Sequence, residues 1–141
     1  MIRRPIPEAR EYASPRPEKK APSSAVLAQI SNSMPTFFNS IKTPNQVDFV
    51  APDARIDHPD YVCFSQRIKE SRFYLVALET KSFLNHVLNN NAETLSNVVT
   101  GLGNFVSKIN SCLSKIPINS EISESFKRGL MAHVLLKIHP M

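Results

Sequence analysis

The sequence predicts an all-α protein: a small antiparallel bundle of three main helices, at about residues 58–89, 91–116 and 120–139, behind a proline-rich N-terminal arm. Three observations point there. Nine of the eleven prolines lie in residues 1–59, where they interrupt any long regular element. Of the strongly apolar residues other than Ala, 15 fall in residues 1–59 and 34 in the remaining 82, so the core-forming material is concentrated in the second part. There the apolar positions recur with a period near 3.6 and not 2. A division into a basic arm (1–23), a Pro-punctuated connector with short helical segments (24–56) and a helical bundle domain (57–141) follows.

The arm, MIRRPIPEAREYASPRPEKKAPS, holds five prolines and nine charges. It is expected to be disordered or extended, because it has too little apolar surface to offset chain entropy. Arg3 and Arg4, followed after a spacer by Arg16, Lys19 and Lys20, form a two-part basic pattern that suits either a nuclear localisation signal or contacts to phosphate. A solubilising tail has the same composition. Ser14-Pro15 and Thr43-Pro44 are minimal proline-directed phosphorylation patterns.

In the connector, SAVLAQISN at 24–32 can form two helical turns capped by Ser23 or Ser24, and Met34 to Lys42 a second short piece carrying Phe37, Phe38 and Ile41. Helices this short are marginal alone and must pack on something, either the bundle or a partner.

Asp57-His58-Pro59-Asp60 opens the first main helix, with Asp57 as the expected cap and Pro59 and Asp60 in the first turn. The absence of Gly and Pro from Asp60 to Asn91 favours one continuous helix. It carries two apolar stripes: Tyr61, Phe64, Ile68, Leu75 and Leu78 on one, Phe73, Val76, Phe83 and Val87 on the other. Asn90, with Glu93 three residues on, resembles a capping box for the next helix. That helix keeps i, i+3, i+4, i+7 spacing from Leu95 to Ile116 opposite a face of Asn, Ser, Thr and Gly that is poor in charge. Small side chains on that face permit close approach by the arm or a partner. Pro117 ends it, and Asn119 or Ser120 starts the last helix, where Ile122, Phe126, Leu130, Val134 and Ile138 form the stripe and Glu124 can pair with Arg128.

Signatures of catalysis are not found. Glycine-rich phosphate loops, HExxH, GxSxG and acidic calcium loops are missing from the sequence. His58, His86, His133 and His139 are not paired at helical spacing, and the carboxylates of the bundle fall on polar faces, which suits solvation more than general acid–base work. Cys63 and Cys112 lack metal or redox spacing and read as buried thiols of a reducing compartment. The net charge of +5 divides as +3 over 1–20, −1 over 21–59 and +3 over 60–141, too thin for a concentrated nucleic-acid face. The longest apolar run, Phe73 to Leu78, is far short of the ~20 residues a bilayer requires. No secretory signal is apparent, so a cytoplasmic or nuclear setting is expected.

The expectation for function is a non-catalytic interaction or scaffold subunit that uses neither cofactor nor small-molecule substrate. The helix at 58–89 has more apolar surface than three helices bury easily, so assembly with itself or another helical protein is expected, with Phe73, Val76, Phe83 and Val87 as the contact residues. The other reading is a small basic nucleic-acid-associated protein whose arm contacts phosphates.

Overall fold

A computed structural model describes residues 23–42, 49–89 and 94–139. Among them are five α-helices packed as a bundle and no strand: α1 (Ser24–Asn39), α2 (Pro59–Ile68), α3 (Tyr74–Asn89), α4 (Leu95–Leu113) and α5 (Ser120–Ile138), with a 3-10 turn at Ser71–Phe73. The all-α class holds; the number of helices is larger than the spacing suggested.

The two short connector pieces are one helix. Ser23 caps α1 by accepting from the Val26 amide at 3.2 Å, and the helix runs through Pro35. An internal proline deletes one helical hydrogen bond and costs about 3 kcal/mol. Burying Val26, Ile30, Met34 and Phe38, spaced by four on one face, outweighs that cost at roughly 1.5–3 kcal/mol per side chain. The helix packs on α4 and α5 and belongs to the same core as the rest of the bundle. Its exit is held by Asn110, whose Oδ1 accepts from the Lys42 amide at 2.8 Å and whose Nδ2 donates to the Ser40 carbonyl at 3.1 Å.

The expected helix at 58–89 is broken. After Ile68 the chain turns at Glu70, which takes up extended geometry with φ −78° and ψ 139°, and helical geometry resumes through the 3-10 turn. Lys69 to Arg72 contain no helix breaker, so the cause is tertiary. Phe64 and Phe73 are nine residues apart, which on a continuous helix places them about 180° apart. Yet both rings pack on Phe126 of α5, at centroid distances of 5.2 and 5.0 Å. The turn lets both stripes reach one core. Glu70 ties the corner with ion pairs to Arg67 at 3.2 Å and Arg72 at 3.4 Å, which are too exposed to contribute much.

His58, not Asp57, caps α2: its Nδ1 accepts from the Asp60 amide at 3.2 Å, with Pro59 in the first turn. Thr94 caps α4 by accepting from the Asn97 amide, so the helix starts later than expected; Asn90 and Glu93 lie outside the described residues. It ends at Leu113, ahead of Ile116. Asn119 caps α5 as anticipated, accepting from the Ile122 amide at 2.9 Å.

Two aromatic clusters organise the core. Phe83 of α3 stacks on Phe105 of α4 at 4.6 Å, Phe105 meets Phe38 of α1 at 5.9 Å, and Phe38 meets Phe49 at 6.5 Å. Phe73, Phe126, Phe64, His133 and Tyr61 form the second. Glu79 lies beside Lys108, Phe83 beside Phe105 and His86 beside Gly101, so α3 and α4 run in opposite directions.

At the α2–α5 crossing, Gly129 faces the Asp60 carbonyl and Phe64 Cβ so closely that a methyl group would collide with both. The neighbour in the clash is backbone, so it cannot swing aside. Gly129→Ala is therefore expected to lower unfolding free energy by about 1–3 kcal/mol. Gly103→Ala, in open space on α4, should raise it by up to about 1 kcal/mol. Urea denaturation of the two variants checks the opposite signs.

Candidate functional site: two grooves flanking α3

Residues Phe73, Val76, Phe83 and Val87 lie inside the chain's own fold, at 1%, 0%, 5% and 0% exposure. Phe73 is held by Phe126 and Phe83 by Phe105, so in the folded chain these four do not present a contact face. The choice of stripe is corrected within α3: there the second-stripe residues Val76, Phe83 and Val87 join the core, as does Phe64 of the first stripe on α2, and exposed apolar surface remains on the first-stripe residues of α3. Leu75 and Leu78 are 48% and 42% exposed, next to Tyr74 at 60%. Sequence spacing identifies two stripes but not which one faces inward, because that depends on the turn at Glu70. Arg3, Arg4, Arg16, Lys19 and Lys20, together with Ser14 and Thr43, lie outside the described residues.

Beside α3 on one side is an apolar groove of about 310 Å³ between α2, α3 and α5. Phe64 and Ile68 come from α2, Ala77, Thr80, Lys81, Leu84, Asn85 and Leu88 from α3, and His133 and Lys137 from α5. Thr80 and His133 find polar partners within the fold. Thr80 donates its hydroxyl to the Val76 carbonyl at 2.8 Å, which satisfies its buried donor within α3. His133 Nδ1 is 3.3 Å from the Tyr61 hydroxyl, and its ring packs on Phe64 at 5.3 Å. Burial, reinforced by the positive charge of Lys137, pushes the His133 pKa below the ordinary 6.5. Its imidazole is therefore neutral near pH 7.

On the other side, a groove of about 250 Å³ lies between α3 and α4. Glu79, Ser82 and His86 face Asn97, Thr100, Asn104 and Lys108 over a floor of Phe83 and Phe105. Part of the charge-poor face of α4 is thus turned toward α3. Gly101 leaves room for the His86 ring, since a Cβ there would stand 3.1 Å from His86 Cδ2. Lys108 and Glu79 are 3.8 Å apart at the groove edge.

Sequence spacing also missed an interior charge. Lys127 is 3% exposed, with its ammonium 3.9 Å from Glu124 and 5.0 Å from the centre of the Phe49 ring. Burial lowers its pKa from the ordinary 10.5; Glu124 opposes the shift and Arg128 adds to it. Glu124 is thus largely enclosed, not solvated, and Lys127 at i+3 pairs with it. Cys112 is buried, and burial raises its thiol pKa; Cys63 is half-buried and both cysteines are free.

No group of three or more metal-ligating side chains occurs among the described residues, and none of the described helices is long and apolar enough to cross a membrane. Comparison of the chain with protein-family models, curated proteins and solved structures finds no match.

The His133 environment generates a pH dependence. Folded His133 resists protonation, while the unfolded chain takes up the proton near pH 6.5. The unfolded state then binds more protons, so this contribution is complete above about pH 6.5 and is lost as pH falls toward the lowered folded value. Thermal denaturation at about pH 7.5 and about pH 5 should show a smaller loss of Tm in His133→Phe than in the native chain. Equal losses would remove His133 as the source.

Proposed function

We propose that the chain is a non-catalytic interaction subunit that assembles with another helical protein, or with copies of itself, through the outer surface of α3. The observation that carries this reading is a contiguous apolar surface left uncovered by the five helices. Ala77, Leu84 and Leu88 line the apolar groove, and Tyr74 and Leu78 lie within about 100° of that line on the helix, extending it toward the α3 N-terminus. Single exposed apolar residues are ordinary; a joined patch bordering a groove marks a contact surface.

Partial burial of Ile68, Leu84 and Leu88 adds to this support, since each packs against the core yet keeps part of its surface accessible. A helix laid against them would complete their apolar surroundings. Burial of Leu78 in such a contact would contribute about 1.5–3 kcal/mol before ordering costs, and Tyr74 would add its ring area.

The mass of the native complex, recovered under mild conditions from cells that make the chain, tests the proposal. It should lie well above the 15.8 kDa of one chain. Combined Tyr74→Glu and Leu78→Glu should shift it toward the single-chain mass while leaving the helical circular dichroism signal intact. Recovery of the native chain as a monomer overturns the reading.

A further inference from the structure

We infer that the groove between α2, α3 and α5 receives an acidic amphipathic helix from a partner protein, seated along the line Ala77, Lys81, Leu84 and Leu88. This rests on the interaction reading above and names the occupant.

Shape argues for a helix. The four α3 positions step by four, three and four residues, which is the spacing of a helix–helix seam, and extend over about three turns or roughly 16 Å. Phe64 and Ile68 of α2 supply the opposing wall. An extended peptide would set its own amides and carbonyls against these apolar side chains without partners, which is costly. A helix bonds those groups internally and presents only side chains.

Charge argues for acidity. Among the described residues, Lys81 and Lys137, on α3 and α5, are the only charged residues lining the groove at pH 7, because the remaining titratable group there, His133, is held neutral by burial. Both lysines are exposed, and neither has a carboxylate in ion-pair range among the described residues. No carboxylate of the described residues lines the groove. A partner helix with Asp or Glu flanking its apolar stripe places opposite charges against both lysines, whereas a basic helix places like charges there.

The experiment is fluorescence anisotropy of the full chain with two labelled synthetic helices of about four turns. They share one leucine stripe and differ in having Glu or Lys at every flanking position. The Glu helix should bind, more weakly as salt rises, and the Lys helix should bind at least about tenfold more weakly. Lys81→Glu with Lys137→Glu, on the exposed rim, should reverse the preference without affecting the fold. Leu84→Glu should weaken the Glu helix by roughly thirtyfold, with circular dichroism confirming that it folds. Equal binding of both helices overturns the charge assignment while leaving the interaction reading standing. Failure of both to bind, with a native complex still heavier than one chain, overturns the groove as the docking site. A chain that dimerises without peptide and becomes monomeric in Leu84→Glu shows that a second copy is the occupant, which also overturns the inference.

Discussion

Phe126 sets the geometry from which the rest of the bundle follows. One ring of α5 is approached by Phe64 from α2 and by Phe73 from the turn before α3. A straight helix cannot deliver both, since they lie on opposite sides of it. The chain resolves the conflict by turning at Glu70, which separates α2 from α3 and lets each pack on α5 in its own direction. The space beside that corner is the apolar groove. The groove is thus a product of the same constraint that fills the core, and its walls are residues of three helices, with the buried Phe64 among them. Gly129 acts on the same contact from the other side by bringing the α2 backbone against α5.

The interior also contains polar anchors, each tied to a connection. Asn110 offers its side-chain amide to the backbone at Ser40 and Lys42, so one half-buried residue satisfies a donor and an acceptor where α1 ends. Lys127 lies under Phe49, with Glu124 close by, and Phe49 in turn contacts Phe38. A buried ammonium is costly unless compensated, and here a carboxylate and a ring face share the compensation. These contacts hold a segment that composition alone assigns to a connector.

The helical class was legible because period-3.6 patterning survives in every main helix, and the Asn119 cap was legible because its chemistry is local. Local chemistry also misled: Asp57 is a better cap by type than His58, and Pro35 argues for two helices where one exists. In both cases packing decided. The break at Glu70 has no signature in Lys69 to Arg72; it appears only when Phe64 and Phe73 are known to share Phe126. The same ignorance misplaced the candidate contact face. Two stripes on one helix are visible in sequence, but which is buried depends on rotation about a turn that periodicity does not reveal. Gly129 and Lys127 were illegible for a related reason: a glycine at a close crossing and a lysine beneath an aromatic ring look like ordinary helix residues until the opposing element is known.

Helix α1 closes one end of an aromatic column, with Phe38 resting on Phe105, which rests on Phe83. Beyond the buried Val26, Ile30 and Met34, its polar attachments at Ser40 and Lys42 and the Phe38–Phe49 contact are gathered near its C-terminal end. Fraying from Ser23 leaves that column closed, whereas release of the C-terminal end uncovers it. The two ends of α1 are therefore expected to fall in different tiers of amide protection, the first turn exchanging by local opening and the turn carrying Phe38 with the cooperative unit that includes α4.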